Sequence, residues 1–576
     1  MTSEQPTKIS FQMESWLENA GIVGLYRILD DEAEIQDRSL TVPVDLLTNF
    51  SDKYFNFFTK SNGYGQLIRF QKILSFKHLL KKWQETSFTD FNNDDLTKLN
   101  DWYKNVLKYS AKSNSYKKLY QLIDDNLDVL AKIKLIDDLL KRVNHKNFLE
   151  KDPGLARELV GQVVEQILIV IKYFERPDSQ KYFPAKTLCY TVINNAWNGV
   201  SLLNPQTKII NFYDDYQQYF VEPVKEYLAE DHTKDKFVCS TCGRPMKNQK
   251  ISYGLLNGMG YDTAKKTSNA WNFNNDQFIC PICRLMYSCV SAGFSYNMSK
   301  QGIFINYNRS LEELIEKNDG VYYNLIQGIK FSDVSPFRAF TTSFAEQLAG
   351  KERFELVDVQ VISYNDGHYN FTVIPPLAAK VIAKAVKSPF GKNNEYNLLS
   401  YLYSIGIKDF RGIKYYRIYD EVIRRLFNST NLVSLIYEME MLMSSQSSNI
   451  RFNQSHIMAL LNVNTLFLKE LFREEGQEVD IKKEDLASMR GAGVHVLKYY
   501  QKHENANKAN ALTYKLLQAI NSSNPEKFMA ILLSVYASQH QLVPSRLINN
   551  LDQPEIFKQY ALAFVAGLIG KNEKGE

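Results

Sequence analysis

The sequence predicts a mainly α multidomain protein with a mixed α/β middle region, a four-cysteine insertion and a C-terminal helical bundle. Three observations predict it. Apolar residues recur every three to four positions through both ends of the chain, five of the six cysteines fall between Cys239 and Cys289, and β-rich runs flank Asn365-Asp366-Gly367. A chain of 576 residues is long enough for about three to four domains. Its 44% hydrophobic and 23% charged residues speak against wholesale disorder. Lys plus Arg is 69 against 64 for Asp plus Glu, and the resulting net charge of +5 permits a polyanionic partner without requiring one.

Residues 1–230 read as a mainly helical N-terminal domain. SWLENAGIVGLYRIL offers Ser15 as an N-cap and sets Trp16, Ala20, Val23 and Ile28 near one face, although its two glycines weaken the helix. LTKLNDWYKNVLKYS and LYQLIDDNLDVLAKIKLIDDLLKRV follow as a packed pair, the second on Leu119, Ile123, Leu127, Leu130 and Ile133. GLARELVGQVVEQILIVIKYF, between Pro153 and Pro177, continues in the same style. Residues 231–290 lose the helical period and form the four-cysteine insertion. Residues 291–445 are mixed: GIFINY alternates, FELVDVQVISYNDGHYNFTVIPP reads as a hairpin near 355–375, and 376–443 turns helical again. The polar stretch Ser444 to Asn449 has a linker's composition and places a boundary near 445. In residues 446–576, Asn524 caps a helix with Pro525 at its first position. Leu512, Leu516 and Ile520 form one stripe, and Ile556, Tyr560 and Phe564 with Phe557, Ala561 and Leu568 form another, as in an antiparallel bundle.

The most informative motif is a pair of C-x-x-C knuckles, Cys239-Ser-Thr-Cys242 and Cys280-Pro-Ile-Cys283, separated by 37 residues. Four thiolates suit a tetrahedral structural zinc, and Gly243 supplies the positive φ that such a turn requires. Cys189 and Cys289 read as single buried thiols, and His232 is set aside because four sulfurs already saturate the ion. A thioredoxin-type redox pair needs one C-x-x-C beside a βαβ unit, which this segment lacks. The N-terminal residues carry no export signal, and the longest aliphatic run, Ile167 to Ile171, is far short of a membrane span, so the expectation is a soluble protein of a reducing cytosol.

WLENAGIVGLYRIL, the two knuckles with CPICRL leading into Gly293-Phe294, and the helical C-terminal region together resemble the large subunit of type I CRISPR Cascade complexes, specifically the zinc-finger-bearing subtype I-B branch, the CXXC-CXXC family. The likeness covers the whole chain as an order of parts. It is specific at the level of residues only in the N-terminal segment and the knuckles. It implies a non-enzymatic, cytoplasmic prokaryotic subunit of a crRNA-guided surveillance complex, with backbone, crRNA-end-capping and small subunits as partners. Such a subunit recognises the protospacer-adjacent motif in target double-stranded DNA, promotes strand opening, holds the displaced strand and helps recruit a helicase-nuclease. The C-terminal bundle would resemble the separate small subunit.

Two basic clusters are candidates for nucleic-acid contact. Around the knuckles stand Arg244, Lys247, Lys250, Lys265 and Lys266, with Tyr253, Trp271 and Phe273 nearby. A solvated basic loop explains the same residues. Further on stand Arg411, Lys414, Arg417, Arg424 and Arg425, of which the last four would form a basic stripe if helical, against which stands ion pairing with Asp420 and Glu421. Lys482 and Lys483 open a helix. Catalytic signatures are missing: there is no phosphate loop, no H-E-x-x-H and no G-x-S-x-G, and Gly491-Ala-Gly493 lacks the strand, third glycine and acidic partner of a dinucleotide site. Asp124-Asp125 and Asp137-Asp138 read as a solvated helix face. A zinc-stabilised nuclease with a dispersed acidic site, and a protein-interaction scaffold, remain the alternative readings.

Overall fold

Helical periodicity becomes helices here, and among the described residues the small β segments become five separate sheets. The structure, a computed structural model, describes residues 6–569 apart from 61–62, 125, 146–147, 260–276, 298, 328–333, 345–358, 366 and 504–505. The chain divides into two units, residues 1–336 with 362–370 and residues 337–361 with 371–576.

In the first unit the helix Trp16–Leu29 is buried almost all round rather than on the one face its spacing suggests. Its two glycines are the reason it fits. A Cβ on Gly24 would lie 1.8 Å from the carbonyl oxygen of Cys289, and one on Gly293 would lie 1.9 Å from that of Ala20, so this helix crosses Val290–Gly293 backbone against backbone. Arg27 closes the crossing. Its guanidinium donates to the carbonyls of Ala292 (2.8 Å) and Gly293 (2.9 Å) and pairs with Asp319 at 2.7 Å. Beside this lies the antiparallel sheet in the order Lys8–Gln12, Ser39–Pro43, Glu34–Gln36.

The helix Asn93–Trp102 runs through a π-helical stretch, Tyr103–Lys108, into Tyr109–Lys112. The expected partner helix begins later than its apolar spacing predicts. Leu119–Leu122 is a short 3-10 turn, and the helix is Val129–Val143, because the Asp128 carboxylate accepts from the Ala131 N–H (2.9 Å) and caps it there. Pro153–Phe174 follows as predicted. The hairpin pairs Gln360–Asn365 with His368–Val373 beside Gly302–Asn306; Asp366 at its tip lies outside the described residues.

In the second unit, residues 376–443 are not continuously helical. The helix Pro376–Lys387 is followed by the small sheet Pro389–Phe390 with Tyr396–Asn397, then by the hairpin Gly406–Phe410 with Ile413–Arg417. Arg411 (φ 52°) and Gly412 (φ 76°) form its two-residue turn, and the Ile-Lys-Tyr-Tyr-Arg run favours a strand over a helix. The stretch read as a linker lies within this unit: Ile450–Arg451 pairs with Gly406–Ile407. Asn524 caps Pro525–Ser538 as expected, its side chain accepting from the Lys527 N–H (2.8 Å). Gly493 has a packing role. A Cβ there would meet the Phe564 carbonyl oxygen at 2.0 Å, where Lys483–Lys502 crosses Pro554–Leu568.

Glu440, on the helix Val433–Ser444, is fully buried, and among the described residues neither carboxyl oxygen has a hydrogen-bond partner. Burial therefore pushes its pKa well above the ordinary 4.5. Below pH 4.5 both folded and unfolded chains carry this proton. Above it the unfolded chain releases the proton and the folded chain keeps it, so stability falls with rising pH by up to about 1.4 kcal/mol per unit. Glu440→Gln should remove that slope. In urea unfolding, the variant should gain on the wild type from about pH 5 to pH 8.

Candidate metal centre

Each C-x-x-C pair reaches the site by a different local structure. The first sits in the turn between the short strands Phe237–Val238 and Pro245–Met246, where Gly243 takes φ 68° and its N–H donates to the Cys239 carbonyl (2.9 Å). The Cys239 N–H donates in turn to Arg244 O at 2.8 Å. The second pair opens the helix Pro281–Ser288. Cys280 is its N-cap, Pro281 occupies the first position, and the Cys283 N–H donates to the Cys280 sulfur (3.5 Å). The Cys280 N–H donates to the Cys239 sulfur at 3.3 Å, so backbone dipoles point at two of the thiolates.

All four sulfurs lie within 4.8 Å of one another, and Cys242 Sγ stands 3.7 Å from Cys280 Sγ. Sulfurs sharing one tetrahedral ion at about 2.3 Å are about 3.8 Å apart, so the set fits a single metal ion. Left to themselves, sulfurs this close do not all ionise. Hydrogen bonds from the other three cysteines hold Cys239 far below the usual thiol range. For Cys242, Cys239 pushes upward, but Cys280 and Cys283 outweigh it and bring the thiol to about 6. Cys280 and Cys283 are pushed up, chiefly by Cys239. A bound cation removes this conflict by accepting all four thiolates.

The helix carrying the second pair is fixed in the core of its unit. Trp197 Nε1 donates to the Ser288 carbonyl (2.9 Å), Tyr54 Oη donates to the same oxygen (3.1 Å), and Tyr216 Oη meets Ser288 Oγ at 2.6 Å. Thr241, inside the first knuckle, hydrogen-bonds Tyr287 Oη (2.9 Å), which donates to Glu18 Oε1 (2.7 Å). This chain of polar contacts links both knuckles to the helix Trp16–Leu29. Thr241 is visible in the motif, whereas Glu18 and Tyr287 carry no sequence signal, because only the fold brings them together. A cavity of about 200 Å³ lies against Cys242 and Cys283, edged by Glu14, Glu18 and Arg244.

The remaining sequence candidates separate. His232 is no ligand: Nδ1 faces the Asp235 carboxylate and Nε2 the Tyr227 carbonyl, each at 2.7 Å, an arrangement that uses two N–H donors and favours the imidazolium. Burial lowers its pKa, but these two bonds outweigh it and raise the value. Cys189 and Cys289 are buried single thiols, each pushed up to about 12 by desolvation. Arg244 is half-buried and donates to Ser10 O (2.6 Å), while Lys247 and Lys250 are exposed. Lys265, Lys266, Trp271 and Phe273 lie outside the described residues.

The second basic cluster is not one helical stripe. Arg411 and Lys414 belong to the hairpin and Arg417 ends its strand, whereas Arg424 and Arg425 lie on the helix Ile418–Phe427. Arg411 pairs with Glu438 (2.7 Å), and both Arg424 and Arg425 are held by Glu421 (2.7 and 2.6 Å), the ion pairing weighed against DNA contact. Lys414 is exposed.

Residues 232–295 match the family model described as CRISPR-associated protein (Cas_CXXC_CXXC). Neither the curated proteins nor the solved structures yield a match. The matched segment contains both knuckles and the helix that anchors them, so the part of this chain that brings the four cysteines together is similar to the CRISPR-associated CXXC-CXXC family.

Proposed function

We propose that the chain is the non-catalytic large subunit of a crRNA-guided type I CRISPR surveillance complex, of subtype I-B, with a structural zinc on Cys239, Cys242, Cys280 and Cys283. The observation that carries this reading is the four-sulfur cluster inside a segment that matches a CRISPR-associated family. Four cysteine ligands leave a tetrahedral ion no open position for water or substrate, which favours a structural over a catalytic role. In this reading the chain recognises the protospacer-adjacent motif in duplex DNA, promotes strand opening beside the guide, and helps recruit the helicase-nuclease; the C-terminal bundle serves as a small-subunit-like piece. Protein contacts read the short flanking duplex, and base pairing reads the rest.

Co-expression with crRNA and the other Cascade subunits, with the purification tag on this chain, tests it. The expected result is a co-purifying complex whose affinity for target duplexes depends on randomised flanking bases. A chain that stays outside the complex, or leaves flank preference unchanged, overturns the assignment. Cleavage of DNA by the isolated chain with Mg²⁺ or Mn²⁺ would overturn the non-catalytic part.

A further inference from the structure

A divalent ion held by four thiolates has two net negative charges, and Cys239, Cys280 and Cys283 are all buried. Charge of that kind, turned away from water, needs fixed donors or a fixed cation. Backbone N–H groups meet part of the need: those of Cys280 and Cys283 donate to the Cys239 and Cys280 sulfurs (3.3 and 3.5 Å). For Cys242 the help comes from Arg244, whose backbone N–H and guanidinium both act on that sulfur. The sulfurs of Cys280 and Cys283 attract the same guanidinium.

Arg244 is fixed from two directions. Its carbonyl accepts from the Cys239 N–H (2.8 Å), which holds its backbone in the first knuckle. On the far side its guanidinium donates to Ser10 O (2.6 Å), in the strand Lys8–Gln12 that pairs with Ser39–Pro43. Arg244 lines the cavity of about 200 Å³ together with Cys242 and Cys283, and the other charged side chains there, Glu14 and Glu18, are negative. Among the described residues it makes no ion pair with a carboxylate. We propose that Arg244 is the counter-ion of the metal centre: held between the Ser10 carbonyl and the Cys242 sulfur, its guanidinium offsets the charge of the four thiolates and sets how tightly the metal is bound. A guanidinium engaged in this way is turned from the phosphate contact that its neighbours in sequence suggest. The proposal rests on the reading of the four cysteines as a metal site and adds a residue that the ligand motif does not contain.

The test combines zinc affinity with cobalt spectroscopy on the full chain. A chromophoric chelator competes for zinc, and Co²⁺ in its place gives a sulfur-to-metal charge-transfer band whose energy reports the field at the thiolates. Arg244→Met keeps an apolar stem and removes the charge. Zinc affinity should fall about 10-fold or more, and the band should move to longer wavelength, because a thiolate without its cation gives up an electron more readily. Arg244→Lys keeps the charge without the planar fork and should recover most of the affinity. Lys236→Met makes the same change in net charge at an exposed residue before the first knuckle, and should leave both readouts at the wild-type values. Wild-type zinc affinity in Arg244→Met overturns the proposal, as does an Arg244→Lys chain no better than Arg244→Met. Weaker zinc binding with an unmoved cobalt band also overturns it, leaving Arg244 as a tether to Ser10. Unchanged zinc binding with weakened flank-dependent DNA binding in the assembled complex would return Arg244 to the DNA contacts. The two readings fail separately: a wild-type chain that takes up neither ion overturns the metal centre and this proposal with it, whereas metal held equally well without Arg244 overturns this proposal alone.

Discussion

Gly24→Ala should unfold or strongly destabilise the first unit. The methyl group would arrive 1.8 Å from the Cys289 carbonyl oxygen, well inside contact distance, and the obstructing atom is backbone, not a side chain with another rotamer. Relief requires the helices Trp16–Leu29 and Val290–Gly293 to move apart. That movement breaks the contacts of Arg27 with the carbonyls of Ala292 and Gly293 and loosens the fully buried Ala20 and Ala292. Overpacking of this kind costs about 3 kcal/mol or more. The thermal midpoint of the variant should fall by about 5 °C or more, with Gly293→Ala behaving alike because its Cβ meets the Ala20 carbonyl oxygen at 1.9 Å. Gly154→Ala is the control. Only Asp152 Oδ1 lies near its Cβ, at 3.8 Å, and a helical alanine there should be neutral or slightly stabilising. Equal midpoints for Gly24→Ala and Gly154→Ala would contradict the close crossing.

The same pair of glycines explains what was and was not legible in the sequence. Read alone, Gly21 and Gly24 weaken the helix prediction, since propensity carries no information about a partner 265 or more residues away. The two segments whose resemblance is specific, WLENAGIVGLYRIL and CPICRL with Gly293, turn out to touch, a relation that spacing does not encode. The clustering of the four cysteines was legible because two C-x-x-C pairs specify a chemistry that needs little knowledge of the fold. The basic stripe failed for the opposite reason: charge was counted on an assumed helix, while Arg411-Gly412 is a hairpin turn that splits it. Asp128 likewise starts its helix partway along an apolar pattern that begins before it, because a cap overrides periodicity.

Cys239→Ser should cost the chain its metal and much of the stability of the first unit. The knuckle around Cys239 has hydrogen bonds from Thr241, Arg244 and Ser240 but little apolar packing: its two strands have two residues each and are exposed apart from Met246. The other pair lies at the head of a helix whose far side is buried among Tyr54, Trp197 and Tyr216, so an ion bridging the pairs ties a weak turn to a strong core. Losing one thiolate leaves the ion three ligands of four and weakens its hold, and because the site forms only in the folded chain, its binding energy is folding energy. Metal content should fall from about one ion per chain to a small fraction of that, with a lowered thermal midpoint and easy proteolysis between the knuckles. A strong chelator should produce the same shift in the wild type. Cys189→Ala, which removes a buried thiol outside the cluster, should keep the metal. A Cys239→Ser chain without metal but with the wild-type midpoint would mean that the turn holds itself, and the structural role of the ion would have to be abandoned.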